Sequence, residues 1–247
     1  MDLSDEKVPL AVKITGWSPF IPGDSYNSSL PCAGLEYSFA NNSTEAVEAV
    51  FSFNAMNFMG TSVLAADDGF IFAHPGTDEK SWLEGSFCAM VDADEAIVNY
   101  LWFRGDWFDP FTIAWKWIEK GQCMSKPPVT QVTDGRPSPG ASIYVPFKLE
   151  PGGERTLRVM LSWYVPKSDI RVGADPEPRN DATSTCGPES ACSCSSENAK
   201  GRKEPDTYVP WYATQFGSVQ QVATYWKENY DDLRERSSTF SSAFYSM

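Results

Sequence analysis

Apolar and polar residues alternate along most of the first 165 residues, and this pattern constrains the fold more than any other feature of the sequence. Val8, Leu10, Val12 and Ile14 are apolar at every second position. Because successive side chains point to opposite faces of a strand, such segments are half-buried strands. Parallel sheets need long helical crossovers, whereas short turns separate these segments. The predicted fold is mainly β, an antiparallel β-sandwich with one short covering helix and a C-terminal connector helix.

Further segments continue the alternation and are predicted as strands. Clusters of Pro, Gly, Asn and Asp, such as Pro22-Gly23-Asp24, separate them and favour turns. Residues 1–172 are therefore predicted to form the sandwich. The predicted strands cover residues 35–39, 49–53, 69–73, 81–91, 97–103, 141–147 and 155–165.

One helix is predicted inside this series of strands. Asp109 is a suitable N-cap, and Pro110 suits the first helical position. Apolar residues then recur at helical spacing up to Gly121. We expect this helix to cover a sheet edge or an open end of the sandwich.

A longer helix is predicted near the C-terminus, capped by Ser218. A lone helix is marginal in water, so this one needs a partner surface. Residues 208–247 are therefore predicted to end the sandwich domain and to connect it to a further, absent domain. Because the chain stops at Met247 without a polar tail or Gly cap, we expect its end to be a cut within a longer protein. The apolar stripe of the helix consists of Val219, Val222, Trp226, Tyr230 and Leu233, with Phe240 and Phe244 continuing it.

Residues 173–207 are predicted to form a flexible insertion, because they consist mostly of Pro, Gly, Ser, Asn and acidic residues. Cys186, Cys192 and Cys194 lie in it, but tetrahedral zinc needs a fourth ligand that this stretch lacks. We predict no metal site, and the sequence leaves open whether these thiols bind metal or pair. Three further cysteines lie in hydrophobic surroundings and are expected as reduced thiols: Cys32, Cys88 and Cys123.

Charge excludes one class of partner. The chain has 20 Lys and Arg against 33 Asp and Glu, a net charge of −13, which repels nucleic acid. The N-terminus lacks the basic and apolar segments of a secretion signal. No apolar stretch approaches the roughly 18 residues of a transmembrane helix. We therefore expect a cytoplasmic protein without a transmembrane segment.

The sequence contains no convincing reaction centre. Its one histidine, His74, precedes Pro75, and the G-x-S-x-G, G-x-G-x-x-G, P-loop and H-E-x-x-H motifs are missing. Glycoside hydrolysis needs two carboxyl groups roughly 5 to 9 Å apart. Neighbouring acids are expected by chance and in turns among so many, so we predict no catalytic residue and no cofactor. The neighbouring acids are Asp67 with Asp68, Asp92 with Asp94, and Asp106 with Asp109.

Aromatic side chains are candidates for contacts with sugars or with another domain. Trp102 follows an apolar strand and is expected in the core, and Trp107 lies nearby. Trp17 is expected in a more open loop. The candidate glycan or domain-interface contacts are Trp17, Phe20, Trp226, Tyr230, Phe240 and Phe244.

Three segments resemble a known family. SPFIPGDSYNSSLP at residues 18–31 and LEPGGERTLRVMLSWYVP at residues 149–166 are similar to the N-terminal domain of glycoside hydrolase family 116. That family includes the non-lysosomal glucosylceramidases and bacterial β-glucosidases. The resemblance covers nearly the whole chain apart from residues 173–207. In the family's connecting segment, the matching residues are Tyr212, Phe216, Val222, Tyr225, Leu233, Thr239 and Phe240.

This resemblance implies a β-sandwich packed against a helical (α/α)6 catalytic domain. The family's nucleophile Glu and acid/base Asp belong to that helical domain and have no counterpart here, and the family's glycine-rich opening segment is also missing. We therefore expect a non-catalytic scaffold of a retaining β-glucosidase or glucosylceramidase, inactive alone. Its partner would be the helical catalytic domain, which would bind β-glucosides or glucosylceramide.

Two alternatives come from other classes of protein. A free-standing carbohydrate-binding module would use exposed aromatic residues such as Trp17. A hydrolase in its own right would use a pair of carboxylates that the sequence does not locate.

Overall fold

The computed structural model describes residues 1–5, 8–105, 107–128, 136–170 and 207–246 of the chain. All of the predicted insertion except Thr207 lies outside the described residues, together with Cys186, Cys192 and Cys194. Asp106 lies outside them as well.

The described strands form two antiparallel sheets. A seven-stranded sheet has the order β1-β2-β3-β10-β7-β6-β5, and a three-stranded sheet has the order β4-β9-β8. The mainly β sandwich predicted from the alternation is therefore confirmed. The strands are β1 (Asp2–Asp5), β2 (Val8–Trp17), β3 (Cys32–Ala40), β4 (Val47–Met56), β5 (Ser62–Ala66), β6 (Gly69–His74), β7 (Gly85–Val91), β8 (Ile97–Asn99), β9 (Gly140–Leu149) and β10 (Glu154–Tyr164).

Four helices accompany the sheets in the described residues. They are α1 (Ser25–Ser28), α2 (Pro110–Ile118), α3 (Trp211–Gln215) and α4 (Val219–Tyr245). None of the helices in this part of the chain is long and apolar enough to cross a membrane.

The inner faces of the two sheets enclose the main core. Leu157 and Val159 of β10 point inward and are fully buried, as are Ile143 and Val145 of the facing strand β9. Rings from opposite sheets meet in this core, for example on β3 and β4, where the Tyr37 and Phe51 centroids are 4.8 Å apart. The period-two alternation thus provides one apolar face per sheet.

The outer face of the seven-stranded sheet is apolar as well, and α4 covers it. Cys88 of β7 and Met160 of β10 point to this side and pack in one cluster with the apolar stripe of α4. The molecule therefore has a helix layer outside its sandwich. The helix is predicted to need a partner surface, and that surface is a sheet of the same chain.

Helix α2 begins where its capping residues predicted. The Asp109 carboxylate accepts a hydrogen bond from the backbone N–H of Thr112. Before the helix, the Trp102 indole N–H donates to Ser142 Oγ at 2.9 Å, and Trp102 is buried as expected. A Cβ on Gly140 would come within 2.4 Å of that ring, so the close packing requires glycine. Trp102 and α2 together are called the α2 lobe. It lies beside edge strand β8 on the outer side of the smaller sheet.

Two predicted strands are shorter in the structure, and two observed strands were not predicted. Residues 81–83 form a 3-10 turn, so β7 begins only at Gly85, and β8 ends at Asn99 where the chain leaves the sheet. The acidic sequence of β1 and the small residues of β5 lack a clear alternation of apolar and polar side chains. Hydrogen bonding to the longer strands β2 and β6 stabilises β1 and β5, although their own sequences carry little strand signal.

The first prediction concerns Trp226, which lies on the sheet-facing side of α4 and is 0% exposed. Replacing a fully buried Trp by Ala should lower the free energy of unfolding by about 3 to 5 kcal/mol. Trp107→Ala is the matched control, because Trp107 is 78% exposed, and it should cost less than about 1 kcal/mol. Urea unfolding followed by circular dichroism measures both. A loss for Trp226→Ala no larger than that of the control would contradict the helix layer.

Candidate functional site

The six aromatic residues predicted as contacts fall into three pairs by exposure. Trp226 is 0% and Tyr230 3% exposed, so neither offers a face to a glycan or to another domain. Phe20 and Phe244 are 58% and 56% exposed. Trp17 and Phe240 are half-buried.

Trp17, Trp226 and Tyr230 form one ring cluster between β2 and α4. The ring centroids of Trp17 lie 4.9 Å from those of Trp226 and 5.1 Å from those of Tyr230. The guanidinium of Arg234 lies 5.2 Å from the Trp17 ring centroid. Trp17 is the last residue of β2. This corrects the expectation that it lies in an open loop, and its ring contacts leave it unsuited to be a sugar platform.

A chain of hydrogen bonds runs from this cluster to an ion pair. The Trp17 indole N–H donates to Tyr230 Oη at 3.0 Å, and the Tyr230 hydroxyl donates to Glu36 Oε1 at 3.2 Å. Arg234 donates to both carboxylate oxygens of Glu36, at 2.9 and 3.1 Å. Such a bidentate ion pair fixes the relative orientation of the two side chains in addition to pairing their charges. It therefore holds α4 at one position on β3.

Burial of the Tyr230 hydroxyl explains why this group donates its proton to the hydrogen bond with Glu36. It raises the pKa of the Tyr230 hydroxyl far above its ordinary value, so the group stays protonated and donates. The hydrogen bonds to Glu36 raise the pKa of Arg234, which stays charged. The cluster is thus a fixed structural network, in which Tyr230 and Arg234 keep their protons near neutral pH.

The 18–31 segment is anchored to α4. The Phe20 backbone N–H donates to Ser237 Oγ at 3.2 Å, and the Tyr225 hydroxyl donates to Asn27 Oδ1 at 2.9 Å. These contacts join positions about two hundred residues apart along the chain. The segment holds the helix against the sheet, and residues 18–31 are therefore called the brace.

Asp24 adds a charged contact to this brace. Its carboxylate caps α1 by accepting from the backbone N–H of Asn27, and Arg236 of α4 donates to it at 2.5 Å. The hydrogen bonds from Asn27, and then Arg236, lower the pKa of Asp24. The carboxylate is thus ionised near neutral pH and keeps its contact with the helix.

Beyond the sheet, aromatic rings form a row at the C-terminal end of α4. Centroids are 5.4 Å apart for Phe20 and Phe240, 6.0 Å for Phe240 and Phe244, and 5.5 Å for Phe244 and Tyr245. These four residues are called the aromatic tip. Phe20, Phe244 and Tyr245 are largely exposed in it. Because the brace fixes Phe20 to α4, the tip is a preformed apolar surface.

The described carboxyl groups with a clear pKa shift do not match a glycosidase acid. Hydrogen bonds lower the pKa of Asp24, Glu95 and Asp109, whereas a general acid needs a raised pKa. Two of the predicted acid pairs instead have members near cations. Lys227 lies 3.9 Å from Asp68, and Arg158 lies 3.8 Å from Asp92.

The remaining candidates for a reactive group are His74 and the three described cysteines. His74 Nδ1 accepts a hydrogen bond from the backbone N–H of Gly76 at 2.9 Å, which closes a turn. Cys32, Cys88 and Cys123 are free thiols. Burial raises the pKa of Cys32 and of Cys88 to about 12, so neither is a thiolate nucleophile near neutral pH.

A family model described as "beta-glucosidase 2, glycosyl-hydrolase family 116 N-term" matches residues 1–233 of the chain. A search of curated proteins found no match.

The second prediction concerns Gly34, which lies beneath the ring cluster. A Cβ there would be 2.7 Å from Trp17 Nε1 and 2.9 Å from Tyr230 Oη, so Gly34→Ala must displace one of them. We expect a loss of about 1 to 3 kcal/mol in the free energy of unfolding. Gly16→Ala is the matched control, because its Cβ would meet Leu35 at an ordinary 3.4 Å. Equal unfolding midpoints for the two variants in urea would refute the tight packing of the cluster.

Proposed function

We propose a function for this chain from one premise: it belongs to the family of glycosyl-hydrolase family 116 N-terminal domains. Membership implies a catalytic domain elsewhere in the parent protein. The chain is, in our proposal, the non-catalytic scaffold of a retaining β-glucosidase or glucosylceramidase. Its partner is the helical (α/α)6 catalytic domain that the resemblance implies.

The aromatic tip is the observation that carries this proposal. Exposed apolar patches on an otherwise polar surface mark interaction sites, and aromatic residues are enriched at the centre of interfaces. Phe20, Phe244 and Tyr245 are exposed there, on a helix that the brace and the ion pair of Glu36 hold in place. A preformed surface loses little conformational entropy on binding. We therefore assign the contact with the catalytic domain to the aromatic tip.

In the intact enzyme, the reaction needs two carboxyl groups on either side of the glycosidic bond. One attacks the sugar as nucleophile, and the other first protonates the leaving oxygen and then activates water. The catalytic domain supplies both groups in this proposal, and this chain supplies a rigid support. A cofactor is not required for this bond cleavage. The cytoplasmic location stays a prediction.

The third prediction tests this function with an aryl β-glucoside. The chain alone should show no turnover above a heat-denatured control, because the reacting carboxyl groups belong to the other domain. Mixed with a separately produced family 116 helical domain, it should form a one-to-one complex measurable by light scattering. Robust turnover by the chain alone would contradict the proposal and support a hydrolase in its own right.

The same mixture locates the contact. Replacing Phe20 and Phe244 together by Ala should weaken the complex by at least about tenfold, as expected for interface anchors. Trp107→Ala is the control, since it removes an exposed Trp from the α2 lobe and should leave the affinity unchanged. Titration against a small panel of glucans addresses the carbohydrate-binding alternative. Saturable glucan binding by the folded chain would favour that alternative over the scaffold.

A further inference from the structure

Helix α4 leaves part of the seven-stranded sheet uncovered. It lies over β3, β10 and β7, while β6 and β5 extend the sheet to one side. Strands are spaced about 4.8 Å apart and a helix is about 10 Å wide, so one helix covers about two strands. Outward-facing residues on β5 and β6 are nevertheless apolar, including Leu64 and Ile71. Leu64 is half-buried there, whereas Ile71 is 1% exposed and already packs in the cluster beneath α4.

Two adjoining cavities occupy this part of the sheet beside α4. Their volumes are about 280 and 460 Å³, and both are lined by Ile71 and Gln220. Together they form what we call the β5–β6 groove, with Leu64 and Ile71 in its floor and α4 as one wall. Thr224 is exposed on that wall, and the neighbouring Ala223 is 3% exposed. Such small side chains allow another backbone to approach closely.

The rim of the groove is acidic. Asp67, Glu84 and Glu228 line it, and none of the three has an ion-pair partner within the described ranges. Lys227 also lies on the rim, but its ammonium group is 3.9 Å from Asp68. Uncompensated carboxylates around an apolar floor favour an occupant with the opposite charge.

We propose that the β5–β6 groove binds a basic amphipathic helix of a partner protein. Residues 219–228 of α4 border the groove, a length of about 15 Å that matches three turns of helix. The occupant lies alongside α4, with its apolar face over the half-buried side chains of Leu64, Ala66 and Ala73. Its Lys or Arg side chains reach the three rim carboxylates. This is the helix-in-groove mode of recognition, with charge selecting the partner.

The groove is separate from the aromatic tip in its residues. The tip comprises Phe20, Phe240, Phe244 and Tyr245, and none of them lines either cavity. The proposal therefore does not depend on the proposed scaffold function, and the two can fail independently.

A designed peptide tests the proposal on the 247-residue chain. The probe is a fluorescein-labelled peptide of Leu and Lys at helical spacing, about 14 residues long, so that about ten residues span the groove and the ends extend past it. Fluorescence anisotropy should show saturable one-to-one binding. Affinity should fall at least about fivefold between low and high salt, because rim charges are screened. A peptide with Glu in place of every Lys should bind at least about tenfold more weakly.

Variants of the chain locate the binding. Thr224→Trp should fill the groove and reduce the affinity at least about tenfold, without shifting the urea unfolding midpoint, since Thr224 is exposed. Neutralising Asp67, Glu84 and Glu228 together to the amides should weaken binding about fivefold at low salt and flatten the salt dependence.

A matched triple variant controls for net charge. Glu45→Gln, Asp94→Asn and Glu154→Gln remove the same number of exposed carboxylates away from the groove. This variant should keep the affinity of the unmodified chain. Equal binding of the Lys and Glu peptides, or no effect of Thr224→Trp, would overturn the proposal. So would a dimer in light scattering that Thr224→Trp dissociates, because a second copy of the chain would then fill the groove.

Discussion

The seven-stranded sheet is apolar on both faces. Each face must be covered by another element, and this constraint determines the rest of the structure. The smaller sheet covers the inner face, and α4 covers much of the outer face through Trp226 and its neighbours. Burying each large apolar side chain is worth roughly 1.5 to 3 kcal/mol, far more than the helix gains by itself. The Glu36–Arg234 pair and the brace then fix the position at which the helix lies.

Local patterns predicted most elements, because strand alternation and helix capping act over a few residues. They located β10, the start of α2 at Pro110 and the cap of α4 at Ser218. They did not predict what the stripe of α4 faces, since helical spacing defines an apolar side without its partner. Trp226 and Tyr230 therefore remained candidates for external contacts until the sheet accounted for them. Glu36 and Arg234 were missed because each has the pattern of a solvated charge, and 198 residues separate them.

The segments that resemble family 116 meet at one interface. Residues 18–31 brace α4, and residues 149–166 contain β10, on which the helix lies. Phe216, Val222 and Leu233, from the third set of matching residues, are buried in the same cluster. The signature of the family in this chain thus corresponds to contacts between helix and sheet.

The order of the elements also has a consequence for synthesis on the ribosome. Helix α4 is the last described element, yet it covers strands that begin as early as Cys32. After Tyr164 completes β10, translation up to Leu233 takes roughly 3 to 14 s at about 5 to 20 residues per second. During that time, α4 cannot shield Cys88 and Met160 from water. The nascent protein therefore passes through a stage in which the apolar outer face of the sheet is accessible to chaperones and to neighbouring chains.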